Sequence, residues 1–309
     1  MALKSITVFL FSCLLIFLSN CQNNKLKLET QSVKNKILDI PYAAQSKAQV
    51  MDIYLPDSIK TPVPVIVNIH GGAFLMGDKA DQNTLSLLEP ALKRGYAVVS
   101  INYRLSGEAK FPSQINDVKA AIRYVRANAV KYNFNPNKIA VWGGSAGGHL
   151  SALAGTSGDV KELEDLTQGN PEQSSRVQAV VDWFGPINFL ELDPQFKISG
   201  KGKPDHGEAD SPESKLLGKK ISEVPDLVKK INPENYISSD DPPFFIQHGT
   251  VDHLIPTQQS INFSEKLIKV LGKEKVTLFL LEGADHGGPQ FDKSENLSLV
   301  LDFLDKTLK

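Results

Sequence analysis

Gly143-Gly144-Ser145-Ala146-Gly147 sets a serine between two glycines, each two residues away. The apolar run Ile139-Ala140-Val141-Trp142 precedes it, and an Ala/Leu-rich stretch follows. This order predicts a strand that turns sharply into a helix at the serine. Such a turn forces the serine into strained backbone angles and lifts its hydroxyl above the sheet. Glycines at 143 and 147 would let neighbouring backbones approach closely. The helix N-terminus would favour negative charge developing at the site. The chemistry that fits is nucleophilic attack by Ser145 on an acyl carbon. It calls for three further parts: donors for the oxyanion, a base, and an acid that orients the base.

His70-Gly71-Gly72-Ala73-Phe74 follows the run Val63–Ile69 and offers the donors. Backbone N–H groups suit the task because they are fixed before the reaction begins. Gly71 and Gly72 are assigned as donors, with the N–H of Ala146 as a third. His70 is expected to orient this loop rather than to act as base. In sites of this kind the chain order is nucleophile, acid, histidine. Of the six histidines, His286 in Glu282-Gly283-Ala284-Asp285-His286-Gly287-Gly288 fits best, on a short glycine-flanked loop after the last strand. His248 closes the preceding strand and reads as structural, and His206 lies in an irregular stretch. His253 neighbours the acid candidate and is expected to point away from it. Asp252 falls just past a strand and before a helix, where a carboxylate can reach the second imidazole nitrogen, fix its tautomer and stabilise the imidazolium. Asp182 on the strand Val177–Trp183 is the rival. Asp285 adjoins the histidine and is badly placed for its ring, and Asp117 reads as a structural hydrogen-bonding residue.

The elements that must position these residues are legible as a pattern. Short strands are expected at Ile37–Ile40 and Val50–Leu55, and buried strands at Val63–Ile69, Tyr96–Ile101, Ile139–Trp142, Val177–Trp183, Phe244–Gln247 and Val276–Leu281. Ile115, Val118, Ile122, Val125 and Ala129 recur at helical spacing and predict a helix over Ser113–Lys131, with Ser113 as N-cap. Further helices are expected over Thr257–Leu271 and around Leu297–Leu308. Strands alternating with helices imply a mostly parallel sheet covered on both faces. Residues 194–224 interrupt the rhythm. They read as a small irregular insertion over the C-terminal edge of the sheet, either a mobile flap or a solvated loop. With 41% hydrophobic and 22% charged residues and a net charge of −1, the chain is neither fibrous nor disordered, and no basic excess points to nucleic acid.

The N-terminus reads as an address. Lys4 is followed by an uncharged run over residues 6–18, shorter than the about 20 residues a spanning helix needs. It fits a secretory signal; a buried helix is the alternative, but apolar residues cover every face. Leu18-Ser19-Asn20-Cys21 resembles the lipobox of bacterial lipoproteins, although Asn20 departs from the small residue usual before the cysteine. The expected organisation is a signal peptide over 1–20, a lipidated tether over 21–36 anchored through Cys21, and a catalytic domain over 37–309. The protein would then be exported to the cell envelope and held on a membrane by its lipid, or else be periplasmic or secreted. The only other cysteine, Cys13, would leave with the signal.

Residues 63–308 resemble the α/β-hydrolase superfamily, and within it the His-Gly-Gly esterase/lipase branch. The matching segments are Val67-Asn68-Ile69-His70-Gly71-Gly72, Val141–His149, Val181-Asp182-Trp183-Phe184-Gly185-Pro186, Pro242–Thr250 and Glu282–Gly287. The resemblance implies an eight-stranded sheet and serine ester hydrolysis through Ser145, Asp252 and His286. No metal or organic cofactor is implied. The implied substrate is a small-molecule or plant-polysaccharide ester of the acetyl or feruloyl xylan type. Alternatives are a formamidase or arylesterase, and a non-catalytic binding protein on the same fold. Ala73 stands where many relatives carry a third glycine. Phe74, Trp183 and Phe184 are candidates for stacking on sugar or, more simply, core residues.

Overall fold

The computed structural model describes residues 33–59 and 61–309. The expected signal peptide, Cys21 and most of the tether therefore lie outside the described residues. Among the described residues, eight strands form one sheet in the order β1-β2-β4-β3-β5-β6-β7-β8. They are β1 (Lys36–Pro41), β2 (Val50–Tyr54), β3 (Val63–Ile69), β4 (Ala97–Ile101), β5 (Phe134–Gly144), β6 (Ala179–Trp183), β7 (Phe244–Gly249) and β8 (Val276–Leu281). The pairings β1–β2 and β2–β4 are antiparallel, and all the others are parallel. The tether expected up to residue 36 joins the body earlier, because Asn35 O accepts from Leu55 N and Lys36 pairs with Tyr54.

β3 shows why the centre of the sheet holds. Its sequence VPVIVNI is buried along its whole length. Val65, Val67 and Ile69 face one half of the core, and Ile66 faces the other. β5 divides the same way, Ile139 and Val141 against Ala140 and Trp142. This is the period-two alternation of a strand with both faces covered. Each such aliphatic side chain contributes about 1.5–3 kcal/mol when fully buried. The first half of the core is closed by α2 (Ser113–Ala127), α3 (Ala146–Thr156) and α7 (Gln258–Leu271), the second by α1 (Gln82–Lys93) and α8 (Ser294–Leu308). α3 is buried on every side, consistent with its Ala, Gly and Leu composition.

Two local expectations are corrected. Ser113 is the first helical residue, Pro112 holds the N-cap position, and no side chain caps the helix. That helix stops at Ala127 instead of running to Lys131, because Asn128 turns its side-chain amide back onto Tyr124 O at 2.9 Å, a local bond that competes with helix continuation. A separate helical turn, Ala129–Tyr132, follows.

Residues 194–224 are not irregular throughout. They include most of α4 (Leu192–Ser199) and all of α5 (Pro212–Leu217), ahead of α6 (Pro225–Ile231). α5 begins where Ser211 Oγ accepts from Ser214 N at 3.1 Å and Pro212 fills the first turn. Phe196, Leu216, Leu217 and Ile221 are buried, and Leu216 O accepts from Phe111 N at 3.1 Å. The segment is a wall seated at both ends by buried apolar residues, while residues 200–210 between them are irregular and largely exposed.

Candidate active site

Ser145 stands at the turn between β5 and α3 with φ 56° and ψ −121°. A non-glycine residue there costs on the order of 1–3 kcal/mol and persists only where its surroundings enforce it. The enforcing contacts are local. Ser145 N donates to Trp183 O at the end of β6 (2.8 Å), and Ser145 O accepts from His149 N in the first turn of α3 (3.0 Å). Gly147 is pressed against the end of β3: a side-chain carbon there would collide with Ile69 O and lie 2.8 Å from His70 O. Gly143 meets the backbone of Gly147 and of Ile69 in the same way.

The hydroxyl lies 2.9 Å from His286 Nε2, and His286 Nδ1 lies 2.8 Å from Asp252 Oδ2. A carboxylate can only accept, so Nδ1 carries the proton and Nε2 is left to accept from Ser145 Oγ. Asp252 Oδ1 accepts from Leu254 N and Ile255 N, each at 2.8 Å. His248, read from the sequence as structural, reaches the same carboxylate: its Nε2 is 3.2 Å from Asp252 Oδ2 and 3.0 Å from Ile255 O, while Ser260 Oγ lies 2.7 Å from its Nδ1. Burial works to raise the Asp252 pKa, but hydrogen bonds from His248 and His286 outweigh it and hold the group well below the ordinary carboxylate range. The i, i+4 spacing of His248 and Asp252 is the one sequence signal that could have linked them.

Asp285 does not touch the His286 ring. Its Oδ1 accepts from His286 N (2.7 Å), His253 N (3.1 Å) and His253 Nδ1 (2.5 Å), tying the loop that carries His286 to the loop that carries Asp252. His253 points away from Asp252, toward this clamp. Asp182, the rival acid, is fully buried on β6, where its Oδ1 accepts from Gly185 N at 3.0 Å. Asp117 binds Arg104 and Gln49. Phe184, a candidate for sugar stacking or core from its sequence, belongs to the core. It is buried, and its ring stands edge-on to His286 at 4.7 Å. Phe74 and Trp183 are buried as well.

The His70–Phe74 loop packs against the elbow. A side-chain carbon on Gly71 would stand 3.5 Å from Ser145 Cβ and 2.9 Å from Gly144 O. Gly72, Ala73 and Phe74 have φ of 99°, 55° and 62°. Ala73 therefore holds a left-handed conformation that favours glycine, which accounts for a glycine being the easier residue there. His70 Nδ1 lies 2.7 Å from Gly71 O and its ring stacks on Tyr103 at 4.3 Å, so it braces the loop. Ala146 opens α3, whose leading N–H groups have no partner within the helix.

Two cavities meet at Ser145 and His286. One, of about 360 Å³, is lined by Gly71, Gly72, Trp183, Phe184 and Phe291. The other, of about 1030 Å³, runs from Phe74, Pro186 and Ile255 to the wall formed by residues 201–213. Such a site can activate a hydroxyl, hold an anion beside it and admit a sizeable substrate.

The sheet order, the strand–serine–helix turn and the loop placement define an α/β-hydrolase. The chain belongs to the BD-FAE family, whose model matches residues 51–267. It is 32% identical to the Mycobacterium tuberculosis esterase LipC over 78% of this chain and 57% of that relative. It spans about half the length of the curated relatives it matches. Among solved structures, a truncated form of a carbohydrate esterase from gut microbiota superposes with a TM-score of 0.81 at 37% identity, over 89% of this chain and 97% of that one. A bifunctional GH43-CE protein of Bacteroides eggerthii superposes with a TM-score of 0.79 at 38% identity, over 89% of this chain and 35% of that one.

Proposed function

We propose that this protein is a serine carboxylic-ester hydrolase with Ser145, His286 and Asp252 as its triad. The observation that carries the reading is the hydrogen-bonded relay from Ser145 Oγ through His286 to Asp252, at 2.9 and 2.8 Å. As Ser145 Oγ attacks the acyl carbon, His286 Nε2 takes its proton, and Asp252 stabilises the imidazolium that forms. The N–H groups of Gly71, Gly72 and Ala146 receive the oxyanion, a contribution of about 2.7–4 kcal/mol for each donor. The intermediate collapses, and His286 returns the proton to the departing alcohol. Water then repeats the sequence on the acyl-enzyme, releasing the acid and freeing Ser145.

The substrates proposed are small acyl esters or plant-polysaccharide esters of the acetyl or feruloyl xylan type. The likeness to a carbohydrate esterase from gut microbiota and the size of the larger cavity support this choice. The proposal extends to export through residues 1–20 and to lipid anchoring at Cys21. Ser145→Ala is expected to lower kcat for p-nitrophenyl acetate by about six orders of magnitude, to background. A phosphonate probe should label Ser145 in the wild type alone. Full activity in the variant, or a wild type that resists the probe, rejects the nucleophile; the second result also favours a non-catalytic binder.

A further inference from the structure

The insertion wall carries an unusual polar pair. Glu213 is buried, with a side chain only 3% exposed, and it lines the larger cavity together with Ser145 and His286. Its Oε1 lies 3.1 Å from His206 Nδ1, while Oε2 is buried with no hydrogen-bond partner. His206 Nε2 in turn lies 3.1 Å from Leu254 O. His206 Nε2 has Leu254 O as its acceptor, whereas Nδ1 approaches the Glu213 carboxylate without making a hydrogen bond to it. Burial acts to lower the His206 pKa, and the Glu213 carboxylate outweighs it and raises the pKa above its ordinary value. His206 is itself fastened: Asp193 accepts from His206 N and Gly207 N, each at 2.9 Å. The His206 backbone is therefore tied down beside Glu213, and the buried Oε2 is left without a donor.

A buried acceptor without a partner is expensive and calls for an explanation. The rest of the wall narrows the kind of donor that fits. Lys201 and Lys203 face the same cavity as Asp205, Glu208, Asp210 and Glu213, so acidic side chains outnumber lysines. Lys201 is already committed to Thr250 O at 2.6 Å. An anionic group would be repelled there, and a wholly apolar one would leave Oε2 unpaired. We propose that Glu213, positioned by His206, is a hydroxyl-binding subsite for the alcohol half of the ester, and that this half is a neutral polyol. The inference rests on the esterase reading, and it adds a residue that selects the substrate within the cavity that Ser145 also lines. The smaller, aromatic-walled cavity is then left for the acyl group.

The test compares wild type, Glu213→Gln and Glu213→Met on acetylated xylo-oligosaccharides and on p-nitrophenyl acetate, with melting temperature followed in parallel. The ratio of kcat/KM for the oligosaccharide to that for p-nitrophenyl acetate should fall about tenfold or more in Glu213→Met, through KM. Glu213→Gln, which keeps a neutral acceptor, should fall less. Parallel loss on both substrates with a lowered melting temperature would mean a structural role and overturn the proposal. So would an unchanged ratio, or a wild type that prefers acetylthiocholine and loses that preference in Glu213→Met. Calorimetric binding of the same oligosaccharides in the Ser145→Ala background separates the two readings. Weakening of about tenfold by Glu213→Met upholds the subsite even if wild-type turnover fails, which would strike the esterase reading alone.

Discussion

At the scale of single residues, two carboxylates, one on β6 and one in the loop after β7, are driven in opposite directions by what surrounds them. Asp252 receives two backbone N–H groups and two imidazoles and stays ionised. Asp182 is fully buried with one hydrogen bond, from Gly185 N, and burial pushes its carboxyl up from 3.8 to about 7. The sign for stability follows. Between about pH 4 and pH 7 the folded state keeps a proton on Asp182 that the unfolded chain has released, so stability is greatest at the acid end and declines as the pH rises through that window. Asp182→Asn keeps the acceptor for Gly185 N and removes the titration. Its unfolding free energy, followed by calorimetry from pH 4 to 7.5, should decline less than that of the wild type, by an amount on the order of a few kcal/mol. Parallel curves would show that Asp182 does not titrate there. From sequence, Asp252 and Asp182 differed only in strand order and loop context. The i, i+4 spacing hints at the contact of His248 with Asp252, but the Asp285 clamp depends on how two loops fold over each other, and no spacing rule reports that.

At the scale of elements, the site depends on β3, β5 and α3 meeting with almost no gap. Gly147 touches backbone oxygens of Ile69 and His70, which cannot swing aside as a side chain can. Gly147→Ala should therefore part α3 from β3. The expected result is a melting temperature lower by several degrees, for a loss of about 1–3 kcal/mol from overpacking, together with at least a hundredfold drop in kcat as Ser145 shifts. Retention of both would mean that the elbow tolerates separation from β3. The strands were readable because β-branched runs such as Val63–Ile69 admit little else. The serine turn was readable because glycine, serine and glycine at that spacing have a mechanical meaning. Residues 194–224 were misread for a physical reason. Their lysines and acids dominate the composition, while the few apolar residues that seat them, Phe196, Leu216, Leu217 and Ile221, are spaced too widely to show a period. The Ser211-Pro212 start of α5 was the available signal.

At the scale of the whole molecule, the described body contains neither cysteine of the chain, since both fall at positions 13 and 21. Its cohesion rests on the two halves of the core and on buried polar networks such as Arg104 with Asp117 and Gln49. The anchoring proposal belongs here, because it concerns where this body is held. Intact-mass analysis of protein taken from envelope membranes should find residues 1–20 removed and Cys21 acylated. A free Cys21 thiol would reject the anchor and leave the hydrolase reading untouched. The seated wall has a last consequence. Ser145, Asp252 and His286 follow the ends of β5, β7 and β8, whereas much of the larger cavity is shaped by one contiguous stretch, residues 201–213. The proposed triad and the wall of the larger cavity thus occupy separable lengths of chain. Under the proposed function, change within that stretch could alter which esters fit while Ser145 keeps its geometry.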